Sequence, residues 1–143
     1  MTEFILHPRL QEDCHFLADL ELSRLLLMDD ANYPWCILVP RVADAREIHE
    51  LTAIRQSQLL TESSRLARTM LEVFNGEKMN IAALGNMVPQ LHVHHIVRKQ
   101  SDHAWPKPVW GQVAATPYQA KAIADIRGTL LPALHAAGEK FQI

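Results

Sequence analysis

Residues 56–74 place Leu59, Leu60, Ser63, Leu66, Ala67, Met70, Leu71 and Phe74 three and four positions apart, one apolar stripe along a single long helix. A lone stripe of this kind needs another layer to cover it. The flanking sequence supplies short β-runs rather than further long helices. Residues 20–28 are apolar apart from Glu21, Ser23 and Arg24; the turn formers Asp29, Asp30, Asn32 and Pro34 follow, and Trp35-Cys36-Ile37-Leu38-Val39 resumes the apolar pattern before Pro40 stops it. The pattern predicts an α+β chain in which an antiparallel β-sheet carries one long packed helix.

Several boundaries follow from local chemistry. Asp44 and Glu47 have the spacing of a capping box, so a short helix is expected to start there. Asn75-Gly76 is expected to close the long helix through a left-handed glycine. Residues 79–84 are short and apolar, and Gly85-Asn86 reads as a turn. Residues 99–111 contain Pro106 and Pro108 between Trp105 and Trp110, which excludes helix interior and central strand and leaves an ordered loop or extended arm. Thr116, Pro117 and Gln119 then supply an N-cap, a first-turn proline and a capping-box partner. They predict a C-terminal helical extension over about residues 116–137, with Pro132 kinking or ending it.

Composition narrows the function. The chain has 143 residues, 48% of them apolar, so one domain spanning 1–143 can bury a core. Its 14 Lys and Arg against 16 Asp and Glu give a formal charge of -2, which argues against a nucleic-acid polymer as partner. The longest apolar runs fall far short of the roughly 20 residues that span a bilayer. The N-terminus has no pattern of a signal peptide, and two cysteines, Cys14 and Cys36, do not make a disulfide framework, so a cytoplasmic location is expected.

The chemistry concentrates in Gln90-Leu91-His92-Val93-His94-His95-Ile96-Val97-Arg98. Strand side chains alternate between faces, so Gln90, His92, His94 and Ile96 share one side while Leu91, Val93, His95 and Val97 share the other. His95 then reads as a core or interface histidine. Three chemistries suit His92 and His94. They could ligate a metal, with His49, His103, Asp29 or Asp30 as the further donors; they could divide nucleophile and charge stabiliser between them in phosphoryl chemistry; or they could bind an anion. Spacing alone leaves the three open.

Residues 80–98 resemble the signature of the histidine triad (HIT) superfamily, nucleotide hydrolases and nucleotidyl transferases whose pattern is His-x-His-x-His. Two registers fit. In one, Ile96 stands in place of the third histidine. In the other Gln90 stands in place of the first, and the spacing of Asn86, Val88 and Gln90, with Arg98 beyond, favours this second register. The resemblance makes His92 the nucleophile that attacks an α-phosphate and forms a covalent nucleotidyl-histidine, His94 the phosphate stabiliser, and Gln90 the supporting residue. Asn86, otherwise a left-handed turn residue, and Asp29, otherwise an exposed turn residue, become nucleotide-binding residues. The Trp105 to Trp110 segment is similar to a tail that closes over the nucleotide in some branches, while each tryptophan singly reads as a packing anchor.

The resemblance covers about residues 20–111 and implies a HIT-like fold, a homodimer, and a nucleotide as the small-molecule partner. Dinucleoside polyphosphates such as diadenosine polyphosphate, nucleoside phosphoramidates and adenylylated small molecules are the candidate substrates. It implies no cofactor held by the protein, a divalent cation entering only with a polyphosphate substrate as charge neutralisation. Gln90 in place of a histidine also raises a second reading, a nucleotide-binding protein with little or no turnover.

Overall fold

The computed structural model describes residues 3–143. Its strands are β1 (Cys14–Leu20), β2 (Ser23–Met28), β3 (Trp35–Pro40), β4 (Lys78–Ala82), β5 (Val93–Arg98) and β6 (Phe141–Gln142), and its helices are α1 (Pro8–Asp13), α2 (Ala53–Val73) and α3 (Ala120–Ala136). All six strands join one sheet in the order β4-β5-β3-β2-β1-β6, antiparallel throughout. The α+β architecture read from the sequence is the one observed.

The sheet has a core on each face. On one side Leu25, Leu27, Cys36, Leu38, Val93 and Val97 pack against Leu59, Leu66 and Met70 of α2 and Leu130 and Leu134 of α3. On the other, Leu26, Ile37, Val39 and Ile96 are covered by Leu10 of α1, by Tyr33 and Trp35, and by Ala104 and Val109 of the 99–111 arm. Every residue of β3 is consequently buried, which is why that strand reads as a continuous apolar run without alternation. Cys14 packs on the second core and Cys36 lies in the first, so opposite faces of the sheet separate the two thiols.

Several boundaries differ from the sequence reading. The helix α2 begins earlier than residue 56, because the Thr52 hydroxyl caps it by accepting from Arg55 N. The capping box lies at Glu47 and Glu50 around a 3-10 turn, Ile48–Glu50, while Asp44 adopts φ 61°. The C-terminal helix starts at Ala120 rather than near Thr116, because Thr116 N and Tyr118 N are taken by the carboxylates of Asp30 and Asp29 and Gln119 is extended. Pro132 sits within α3, which continues to Ala136. Three elements had no sequence signal strong enough to read: α1, β1 and the two-residue β6 that pairs with β1. Glu62, on the buried side of α2, accepts from Leu22 N (2.8 Å) and Ser23 N (3.1 Å) and so holds the turn between β1 and β2.

The end of α2 shows a different use of glycine from the one expected. Asn75, at φ 51°, takes the left-handed position, and Gly76 is required for close approach instead: a Cβ there would lie 2.3 Å from Val97 Cγ1. Val97, on β5, is fully buried in the core that α2 covers. Gly76→Ala is therefore expected to destabilise the fold by about 1–3 kcal/mol through overpacking. Urea unfolding measures it, and an unchanged midpoint would contradict the close packing.

Candidate active site

The two faces of β5 carry different histidines. Pairing with β3 sets His95 opposite Cys36 and His94 opposite Ile37, which sends the first towards α2 and the second to the opposite face. His95 Nδ1 donates to Val93 O (3.0 Å), and Ser63 Oγ donates to Nε2 (2.7 Å). Both ring nitrogens are satisfied in the neutral state, and burial pushes the imidazole down to about 4. His95 is a core histidine.

His92 and His94 lie together on the opposite face, ring centroids 4.9 Å apart at 70°. His92 Nδ1 is 2.7 Å from Gln90 O. A carbonyl only accepts, so Nδ1 carries the proton and the lone pair is left on Nε2. His94 Nδ1 accepts from Trp35 Nε1 at 3.0 Å, and the ring is walled by Trp35 and by Trp110, whose centroid lies 5.1 Å away. Burial pushes His94 down to about 3, with the neighbouring His92 and His95 adding to the effect. Among the described residues neither Nε2 has a hydrogen-bond partner, so both are free for a ligand.

Trp110 reaches His94 because the arm is anchored at its base. Arg98, 1% exposed, donates to both oxygens of Asp102 (2.8 and 3.1 Å), to Asn80 Oδ1 (2.7 Å) and to Lys107 O (2.8 Å), and its guanidinium lies over the Trp105 ring. Asp102 also accepts from the backbone N–H groups of Lys99, Ala104 and Trp105. Burial alone would raise its carboxyl, but Arg98 and those three N–H groups outweigh it and hold the group down at about 2. The sequence reading noted Arg98 by position only.

Among the described residues the Gln90 side chain makes no hydrogen bond to either imidazole. Its Oε1 accepts from His7 N (2.8 Å) and its Nε2 donates to Ile5 O (2.9 Å), a peptide-like bridge that fastens residues 5–7 beside the site. Asn86 is exposed in the loop before β5, and the positive φ of that loop (80°) belongs to Gly85, not to Asn86. The Asp29 carboxylate is engaged by other groups than the histidine pair: it accepts from Tyr118 N (2.9 Å) and lies 3.0 Å from His15 Nε2. Burial would raise that carboxyl, yet these two contacts hold it below its ordinary value. The neighbouring Asp30 is buried, its Oδ1 accepting from Asn32 and Thr116 N.

A cleft of about 310 Å³ opens beside His92 and is lined by Gln90, Gly85, Arg46, His49 and Gln56 among others. Arg46 and His49 bring cationic or donor side chains to the approach to His92, a placement that no local sequence pattern announced. Trp35 was legible only as the start of a strand, because its contact with His94 depends on the cross-strand pairing. Among the described residues no three His, Cys, Asp or Glu side chains gather as a metal site.

A family model, the HIT domain, matches residues 9–101. Similar solved structures include a histidine triad protein from Marinobacter aquaeolei VT8, 52% identical with a TM-score of 0.92, covering 95% of this chain and 99% of that one. Another, from Bradyrhizobium japonicum, is 47% identical with a TM-score of 0.91 over 93% and 99% of the two chains. A third, from Sinorhizobium meliloti 1021, is 39% identical with a TM-score of 0.89 over 91% and 96%. No curated protein matches the chain. The chain belongs to the HIT family.

The two buried histidines fix a pH dependence of stability. Unfolded, they take up protons below their ordinary value of 6.5; folded, they resist protonation down to about 3 for His94 and about 4 for His95. Stability is therefore full above about 6.5 and is lost as pH falls, by at most about 2 kcal/mol for each histidine at pH 5. Urea midpoints at pH 7 and pH 5 read this directly. A midpoint as high at pH 5 as at pH 7 would contradict the burial of two neutral imidazoles.

Proposed function

We propose that this HIT protein is a nucleotide hydrolase or nucleotidyl transferase that acts at the α-phosphate through His92. The observation that carries the reading is the hydrogen bond from His92 Nδ1 to Gln90 O, 2.7 Å, which directs the ring's lone pair to Nε2 beside the cleft. In the first step the Nε2 lone pair forms a bond to the α-phosphorus, and the electrons of the bridging bond leave with the departing group. In the second, water attacks the phosphorus, loses a proton to solvent, and Nε2 recovers its lone pair. His94 donates through Nε2 to a phosphate oxygen as negative charge develops there. Arg46 and His49 face the remaining phosphates of a polyphosphate substrate, and a divalent cation enters only with that substrate.

Asn86 is assigned to the nucleotide because it is exposed on the loop that borders the cleft through Gly85. Asp29 is retained as a ribose contact on family resemblance alone, since its carboxylate is engaged by Tyr118 N. Gln90 acts as support through its backbone carbonyl, which orients His92, while its side chain fastens the N-terminal segment. That division of roles favours turnover over the alternative, a nucleotide-binding protein without chemistry. The step asks nothing of the Gln90 amide.

Turnover of diadenosine tetraphosphate is expected to fall by roughly 10³-fold or more in His92→Ala and by about 10²–10³-fold in His94→Ala, with nucleoside monophosphate binding kept in both. Retained turnover in His92→Ala would refute the mechanism. Tight monophosphate binding with no turnover in the unmodified protein would establish the binding-module reading instead.

A homodimer and a cytoplasmic setting complete the proposal. In the single chain β4 is a sheet edge, and Leu60 of α2 (68% exposed) and Ile81 of β4 (51% exposed) leave apolar surface beside it. Two unpaired thiols suit a reducing compartment. Light scattering at micromolar concentration is expected to give twice the 16.2 kDa chain mass, and a monomeric mass would refute the dimer.

A further inference from the structure

Among the described residues Trp35 is the one hydrogen-bond partner of the His94 side chain, and its chemistry is one-directional. An indole N–H donates and never accepts, so the 3.0 Å bond from Trp35 Nε1 to His94 Nδ1 requires a lone pair on Nδ1. The remaining proton of the neutral ring must then sit on Nε2. Protonating Nδ1 would set two N–H donors against each other in a site where both rings are buried, at 6% and 5% exposure. The other groups facing His94 offer no relief. Trp110, from the arm, has only an indole; Tyr33, next to Trp35, packs edge-on against it; and His92, just before β5, is a base whose protonation would repel a second charge. His95 points to the opposite face.

We propose that Trp35 is a positioning and specificity-determining residue: it locks His94 as a neutral Nε2–H donor and thereby limits the enzyme to leaving groups that depart as anions. The inference rests on the α-phosphate reading above and narrows its substrate class. When His92 Nε2 bonds to phosphorus and a phosphoanhydride P–O bond breaks, the electron pair leaves on a phosphate oxygen that is stable as an anion, and a hydrogen bond from His94 is enough. When a phosphoramidate P–N bond breaks, the amine must receive a proton as it leaves. A locked His94 has only its Nε2 proton to give, and giving it would create an imidazolate. Phosphoanhydrides are therefore the substrates, and nucleoside phosphoramidates of alkyl amines are poor ones.

The lock is read without substrate. Long-range proton–nitrogen correlation spectra of the histidine rings are expected to show His94 as the Nε2–H tautomer, unchanged from pH 8 to pH 5, and Trp35→Phe, which removes the donor, is expected to mix the tautomers. The Nδ1–H tautomer, or titration to imidazolium within that range, would overturn the lock even if Trp35→Phe fails to fold. The specificity is read by comparing diadenosine tetraphosphate with an alkylamine phosphoramidate of adenosine monophosphate. Loss of acid assistance predicts that the anhydride is favoured by roughly 10²-fold or more in kcat/KM, and equal or faster cleavage of the phosphoramidate would overturn it. If neither compound is cleaved, the hydrolase reading fails and the leaving-group inference falls with it, while the spectra still decide the lock.

Discussion

The pairing of β5 with β3 is the constraint on which the site depends. With His94 opposite Ile37 and His95 opposite Cys36, one strand sends neighbouring histidines into two environments. The one facing α2 is held by Ser63 and its own backbone as part of the core. The one on the other face meets Trp35, Trp110 and His92. A slip of one residue would exchange these environments and place an apolar face where the phosphate chemistry is proposed. The sheet itself holds the register, since β3 is buried along its whole length and paired on both sides.

Around that strand the protein places three supports. The arm is fixed at its base by Arg98 and Asp102, which brings Trp110 over His94. The N-terminal segment is fixed by the Gln90 amide. Backbone carbonyls at Gln90 and Val93 orient His92 and His95 through the same residue-to-i+2 contact, so one local geometry serves a proposed nucleophile and a structural residue alike. What distinguishes the two is the partner offered to Nε2: a serine hydroxyl for His95, open space for His92.

The periodic parts of this architecture were legible in the sequence. The stripe of α2 and the alternation of β5 follow directly from residue spacing, and the opposite facing of His94 and His95 could be read from alternation alone. What was not legible depended on partners distant in the chain. Trp35 meets His94 across 59 positions, and Gln90 meets Ile5 across 85. The start of α3 was misplaced because Thr116 and Tyr118 are claimed by Asp30 and Asp29, carboxylates more than 80 positions away that local capping rules do not include. Gly76 was assigned to a left-handed cap by propensity, whereas contact with Val97 is its actual requirement.

The central claim is a covalent bond between His92 and the α-phosphorus, and the most direct measurement is the intact mass of the protein after brief incubation with diadenosine tetraphosphate. The account predicts an acid-labile nucleotidyl adduct at short times, present in the unmodified protein and absent in His92→Ala. An adduct that persists in His92→Ala, or product formed with no adduct at any time, would contradict it.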